Sequence, residues 1–195
     1  MSNIRDIKNR LRAEIRSRRE KITEEQKEAL DQAIAKQFRA LASFRFAEVL
    51  LAYYPLSEEI NILPLIEEAL KAGKKVALPR CYEGNRMDFY YINSLDDVES
   101  GAYGIFEPKS YCQLYDPALI KPAIMLIPAL SYDKYGYRLG YGRGYYDRYV
   151  NRYSGVKAGL CYRDFFKTTP LPRGRFDMAV DYVVTEKGVT LVEKQ

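Results

Sequence analysis

Ile4, Ile7, Leu11 and Ile15 recur at the spacing of one helical stripe, so residues 3–20 are expected to form a helix with a narrow apolar face. Thr23-Glu24-Glu25-Gln26 is a capping-box pattern and predicts a second helix running to about Ser43. The period then changes. Residues 47–53 read as a strand, 63–72 as a helix ended by Gly73, and 75–79 as another strand. Residues 87–92 are a third strand candidate and 95–98 a short helix. The apolar run Ala123–Ile127 predicts a buried strand, and 156–161 and Tyr182–Thr185 complete a sheet of five or more strands. Residues 100–117 have no clear period and are expected to be a surface loop. Strands alternating with helices imply right-handed parallel crossovers and helices on both faces of the sheet. The expectation is an α/β fold: one domain over 1–195, three layers α/β/α, with a mostly parallel sheet. No internal repeat, low-complexity tract or linker interrupts it.

Composition narrows the chemistry. An apolar content of 47% over 195 residues suits one domain with a real core. No apolar run approaches the ~20 residues of a membrane span. The segment Met1-Ser2-Asn3-Ile4-Arg5 has no apolar signal region, so secretion is not expected. Cys81, Cys112 and Cys161 form no close pair, which argues against a disulfide framework or a zinc knuckle and fits a reducing cytoplasm. Histidine is absent, so proton transfer cannot use imidazole and Ser-His-Asp or Cys-His catalysis is excluded. The same absence of a base makes Cys81 an ordinary small side chain rather than a nucleophile. A net charge of +5 favours anionic ligands without demanding nucleic acid.

The stretch Gly136-Tyr137-Arg138-Leu139-Gly140-Tyr141-Gly142-Arg143-Gly144-Tyr145-Tyr146-Asp147 follows the buried strand and runs into a segment that can start a helix. Strand, glycine loop and helix aim backbone N–H groups at phosphate oxygens. The loop is neither a Walker A sequence nor the dinucleotide fingerprint, because its spacing is Gly-x-Gly-x-Gly. A mere turn would need no three alternating glycines with Arg138, Arg143 and Asp147 in register. A nucleoside-triphosphate site is the expected use, with Arg143 neutralising charge on a transferred phosphoryl group and Asp147 holding a hard cation.

Arg-Leu-Gly-x-Gly-x-Gly-Tyr-Tyr-Asp, preceded by Ile-Pro-x-x-x-x-Asp-x-x-Gly, resembles the signature of the 5-formyltetrahydrofolate cyclo-ligase family. The resemblance extends over nearly the whole chain, through the basic N-terminal helix, the Glu59 region, Leu78-Pro79-Arg80 and Phe176-Asp177-Met178. It implies a Rossmann-like, NagB/RpiA/CoA-transferase-like fold. It also implies an ATP-dependent cyclisation of 5-formyltetrahydrofolate to 5,10-methenyltetrahydrofolate, with magnesium, releasing ADP and phosphate. In that reaction the formyl oxygen is phosphorylated, the anilino nitrogen closes the ring and phosphate leaves.

The first helix carries Lys8 and Arg12 four residues apart, with Arg5, Arg16 and Arg19 on the same side. Lys8 and Arg12 match the family's phosphate-gripping Lys-x-x-x-Arg pair, which implies that the helix docks near the glycine loop. Arg5, Arg16 and Arg19 are read as a solvated basic face. The resemblance gives ATP binding to Lys8, Arg12, Arg138, Leu139, Gly140, Tyr141, Gly142, Arg143, Gly144, Tyr145 and Tyr146, with Arg143 catalytic. Many family members carry lysine where Arg143 stands, and the swap is not conservative at a phosphate.

Glu59 lies beyond the strand at 47–53, where open α/β sheets place ligands. A carboxylate can accept the adjacent amino and ring N–H groups of a pterin at once, and the resemblance assigns Glu59 that role. Tyr54 and Tyr145 are implied as further substrate contacts, and Tyr103 as an aromatic residue near the substrate. Read without the resemblance, Glu58 and Glu59 serve equally well as acids before a helix start. Asp177 is implied as a second magnesium ligand beside Asp147; the other reading is an ion pair with Arg173 or Arg175. Monomer, cytoplasmic, no nucleic acid and no membrane complete the expectations. Two rivals stand beside this reading. One is an RNA-binding module using the basic helix and exposed tyrosines. The other is a sugar-phosphate or coenzyme-A enzyme of related architecture.

Overall fold

The computed structural model describes residues 3–101, 104–118 and 122–192. Helix α1 (Ile4–Arg19) starts at Asn3, whose side chain accepts from the Arg5 N–H. Helix α2 (Glu24–Arg39) starts at the expected capping box: Thr23 Oγ1 accepts from Gln26 N at 3.2 Å and Gln26 Oε1 accepts from Thr23 N at 3.1 Å. It ends short of Ser43. Leu41 turns extended and a separate short helix, α3 (Ala42–Arg45), follows. Phe38 and Phe44 are six residues apart and would point to different sides of one continuous helix. The break brings both into the core with ring centroids 4.6 Å apart.

β1 (Val49–Leu51), α4 (Leu63–Lys71), β2 (Lys75–Tyr82) and β3 (Arg86–Ile92) follow. The segment expected to be helical at 95–98 is a single 3-10 turn capped by Ser94, running into β4 (Val98–Ser100). β4 pairs antiparallel with β5 (Phe106–Pro108), so the stretch expected to be loop at 100–117 carries a small sheet that packs against β2. The remaining elements are β6 (Ala123–Ile127), β7 (Ser131–Asp133), β8 (Arg138–Leu139), α5 (Tyr145–Val150), β9 (Val156–Leu160), β10 (Phe166–Lys167), β11 (Tyr182–Thr185) and β12 (Gly188–Leu191).

The main sheet has seven strands in the order β12-β11-β9-β6-β1-β2-β3. β11, β9, β6, β1 and β2 are mutually parallel; β12 and β3 close the two edges antiparallel. This is the expected α/β class with a mostly parallel sheet. Every residue of β1 and β6 is buried, as strands covered on both faces require. Part of the cover is β rather than α. The hairpin β7–β8, joined by β10, lies against the sheet so that the Tyr132 ring occupies the space a side chain at Gly159 would need. Glycine is required there by close approach.

β1 is flanked by β2 on one side and β6 on the other, so the chain reverses its direction of travel across the sheet between them. The crevice beyond the carboxyl ends of β1 and β6 is therefore the topological switch point, the place where such sheets bind ligands.

Candidate active site

Two segments enter that crevice. After β1 comes Tyr53–Ile60, a tight loop held by the Tyr53 hydroxyl, which donates to the Ile60 carbonyl at 3.0 Å. After β6 the chain passes through β7 and β8 into the glycine loop. Gly142 and Gly144 have φ of 103° and 72°, which L side chains rarely adopt, so the expected need for glycine is met at these two positions. The third wall comes from far away in sequence. Arg12 Nε donates to the Gly140 carbonyl at 2.7 Å, and Lys8 Nζ pairs with Asp177. Helix α1 thus docks on the glycine loop as expected.

The groove between these walls has a volume of about 670 Å³, within the usual range for small-molecule sites. It brings together Lys8, Arg12, Tyr54, Glu59, Arg138, Gly140, Tyr141, Gly142, Arg143, Gly144, Tyr145, Tyr146, Asp147 and Asp177. Leu139 stands apart: its side chain is in the core, and its carbonyl accepts from Leu130 N at 2.9 Å. Tyr103 lies outside the described residues.

Several of these groups hold one another. Arg138 is buried, donating to Asp147 Oδ1 at 2.6 Å and to the Met178 carbonyl at 3.1 Å. Asp147 Oδ1 also accepts from Met178 N at 3.2 Å. Asp177 Oδ2 accepts from Gly174 N at 2.8 Å and from Lys8; the ion pair with Arg173 or Arg175 does not form, and Arg173 approaches Asp133 instead. The contact between Asp147 and Met178 N ties the two acidic segments together at one end of the groove. Among the described residues no cluster of three acidic or cysteine side chains is placed to hold a metal ion. Two aspartates lining a groove with Lys8, Arg12 and Arg143 nevertheless fit Mg²⁺, which ordinarily takes one or two carboxylates and completes its shell with phosphate and water.

Glu59 is more deeply buried than the two aspartates. It is only 6% exposed, and its Oε2 accepts from Leu56 N at 2.9 Å. Burial pushes its pKa up to about 7, against the Leu56 N–H, the nearby Tyr141 hydroxyl and Arg19, with Glu58 adding to the rise. Tyr54 packs against Phe106 with ring centroids 4.9 Å apart. Arg12 is shifted the other way: burial and then Arg16 lower its pKa, opposed by Asp177. A cation that has lost hydration beside another cation gains from an arriving anion. The Cys81 thiol, also in the groove, is pushed up to about 11 by burial and by Glu107, with Arg143 opposing. It stays a thiol near neutral pH, as expected of a non-nucleophile.

Sequence reasoning missed three residues. Arg19 was expected on a solvated face; it is 8% exposed and donates to the Glu58, Ala129 and Leu130 carbonyls, locking α1 to both ligand-side segments. The backbone it serves has no sequence pattern. Arg16 also lines the groove, 3.8 Å from Glu58. Glu107 is a buried carboxylate in the groove that a reading of 100–117 as loop could not reveal.

An open, mostly parallel sheet with a groove at its switch point, lined by a glycine loop and basic side chains, defines an α/β protein of the switch-point class. The chain belongs to the 5-formyltetrahydrofolate cyclo-ligase family, whose model matches residues 4–186. A Caenorhabditis elegans protein named probable 5-formyltetrahydrofolate cyclo-ligase is 28% identical, covering 98% of this chain and 98% of its own length. The Escherichia coli (strain K12) 5-formyltetrahydrofolate cyclo-ligase is 28% identical over 66% of this chain and 71% of its own. The solution structure of Aquifex aeolicus 5,10-methenyltetrahydrofolate synthetase superposes with a TM-score of 0.83 at 32% identity, covering 97% of this chain and 94% of that one.

Proposed function

We propose that the groove at the carboxyl ends of β1 and β6 binds ATP and 5-formyltetrahydrofolate side by side. The chain is an ATP-dependent 5-formyltetrahydrofolate cyclo-ligase, converting that folate to 5,10-methenyltetrahydrofolate. The observation that carries the site assignment is the docking of α1: Arg12 reaches the Gly140 carbonyl across 128 residues of sequence and places the helix's cations on the glycine loop.

In this reading Lys8, Arg12 and the glycine loop hold the nucleotide phosphates. Arg143 neutralises charge as the terminal phosphoryl group moves to the formyl oxygen. Arg138 acts mainly by fixing Asp147. Asp147 and Asp177 would hold Mg²⁺, which would supply charge neutralisation for the phosphate oxygens. Glu59 accepts the pterin amino and ring N–H groups, and Tyr54 and Tyr145 contact the folate. Phosphorylation makes the formyl oxygen a good leaving group, so the anilino nitrogen can close the ring and expel phosphate. Such chemistry is mostly positioning and charge stabilisation, which suits a chain without histidine.

The reading takes 1–195 as one domain acting as a cytoplasmic monomer, testable by sizing chromatography at micromolar concentration. Free Cys81, Cys112 and Cys161 suit a reducing compartment. No helix among the described residues is long and apolar enough to cross a membrane. The RNA-binding alternative loses support because Lys8 and Arg12 face the groove and Arg19 is buried against backbone carbonyls.

The decisive measurement is methenyl-folate absorbance. Product should require ATP, Mg²⁺ and 5-formyltetrahydrofolate together, and formation with any one omitted would count against the scheme. Arg143→Ala should lower kcat about 10²–10³-fold while folate affinity holds. Unchanged turnover would remove its catalytic role.

A further inference from the structure

The proposed reaction leaves one proton without a destination. The anilino nitrogen carries a hydrogen before ring closure and none after it, and the chain has no histidine to take it. The groove contains two buried carboxylates, Glu59 and Glu107. Glu59 is committed to the pterin edge. Nothing in the scheme uses Glu107.

Glu107 sits in a built seat. It is the central residue of β5 and is 6% exposed. Its Oε1 accepts from Cys81 N at 3.0 Å, which fixes it against the end of β2. A side chain at Gly101 would come within 2.6 Å of the Glu107 carboxyl carbon and Oε2, so only glycine leaves it room. Arg80 donates to the Pro108 carbonyl and to Glu99, pinning β4 and β5 beside the groove. Glu107, Cys81 and Arg143 line the same groove, which places that carboxylate and that guanidinium in one neighbourhood.

We infer that Glu107 is the base of the ring-closing step. The inference rests on the reading in which Arg143 meets the transferred phosphoryl group, because the formyl carbon is then close to Arg143 and so to Glu107. The lone pair of the anilino nitrogen forms a bond to the formyl carbon, and the carbon's double bond to the pterin nitrogen opens, its pair going to that nitrogen. The anilino N–H bond breaks, the electron pair stays on the anilino nitrogen, and the proton passes to the Glu107 carboxylate. The carbon–oxygen bond to the phosphorylated oxygen then breaks with its electron pair. The departing phosphate takes the proton from Glu107 and resets it. A carboxylate whose bound proton is removed by the leaving group needs no exchange with bulk water.

The test separates phosphoryl transfer from cyclisation. In a rapid-quench experiment with ATP, Mg²⁺ and 5-formyltetrahydrofolate, Glu107→Gln should form about one ADP per site at near wild-type rate. Methenyl absorbance should then rise about 10²–10⁴-fold more slowly, the usual loss on removing a general base. Folate affinity and the melting temperature should stay close to wild type. Gly101→Ala, which displaces the carboxylate without removing it, should give the same split with a smaller delay; it carries the test if the glutamine variant does not fold. Methenyl formation at wild-type rate in Glu107→Gln would overturn the assignment. A fall of ADP and methenyl formation in equal measure, or a loss of folate affinity, would also overturn it and make Glu107 a support for the β2 end. Failure of the underlying reading looks different: wild-type protein would then show no folate-dependent ADP burst at all.

Discussion

Helices α1 and α2 are each 16 residues long and each begins at a side-chain cap, yet they are held by opposite means. α2 buries Ile34, Ala35 and Phe38 in the core. Of α1's apolar stripe only Ile15 is fully buried, and Ile4 is 46% exposed. What holds α1 is its other flank: Lys8 on Asp177, Arg12 on Gly140, Arg19 on three carbonyls. Burying an apolar side chain contributes roughly 1.5–3 kcal/mol, whereas polar contacts such as those of α1 replace hydrogen bonds to water and contribute less than their number suggests. The difference teaches that α2 belongs to the stability of the sheet, while α1, in the proposed reading, belongs to the ligand. A helix docked through its cations stays answerable to whatever anion arrives.

The largest expected effect is on α2. Phe38→Ala should cost about 3–5 kcal/mol in urea unfolding, while kcat per folded molecule stays near wild type; a small stability loss would break the contrast. On α1, Arg12→Ala should raise the KM for ATP about 10–100-fold with little change in unfolding. An equal loss of stability would show that α1 is core after all.

A smaller effect sharpens the contrast within the groove. Glu59 has a pKa raised to about 7, so it favours the free fold below its usual carboxylate range, and that contribution fades as pH rises through about 7. Folate donors favour the ionised carboxylate, so binding should strengthen over the same interval. Titration calorimetry should show affinity rising by up to about tenfold per unit toward pH 7 and flattening above it. Glu59→Gln should bind weakly with no such slope, and normal affinity in that variant would remove Glu59 from the pterin edge.

The parts legible in sequence are those with a repeating or punctuated pattern. The apolar stripe and the capping box located α1 and α2, the continuous run Ala123–Ile127 marked a central strand, and the alternating glycines marked the loop. The family resemblance then singled out Lys8, Arg12, Glu59, Asp147 and Asp177, which the fold gathers around one groove. β7, β8 and β10 were invisible because two or three residues are too few to show a period, and their partners are distant in sequence. Arg19 and Glu107 were missed for a related reason. A basic residue on a helix and an acid in a loop look solvated until tertiary packing closes over them.

The pairing of Lys8 with Asp177, and of Arg138 with Asp147, bears on how the groove would greet its nucleotide. Without a guest, opposite charges quench each other inside the cleft and spare it the work of keeping bare ions there. In the proposed reading a magnesium–nucleotide complex would bring a dication and a polyanion of its own, so that lysine would turn to phosphate as aspartate turned to metal. Each host ion would exchange one counter-ion for another, a change of dancing partners. Nucleotide stripped of its metal offers only half of that exchange and would leave an aspartate deserted.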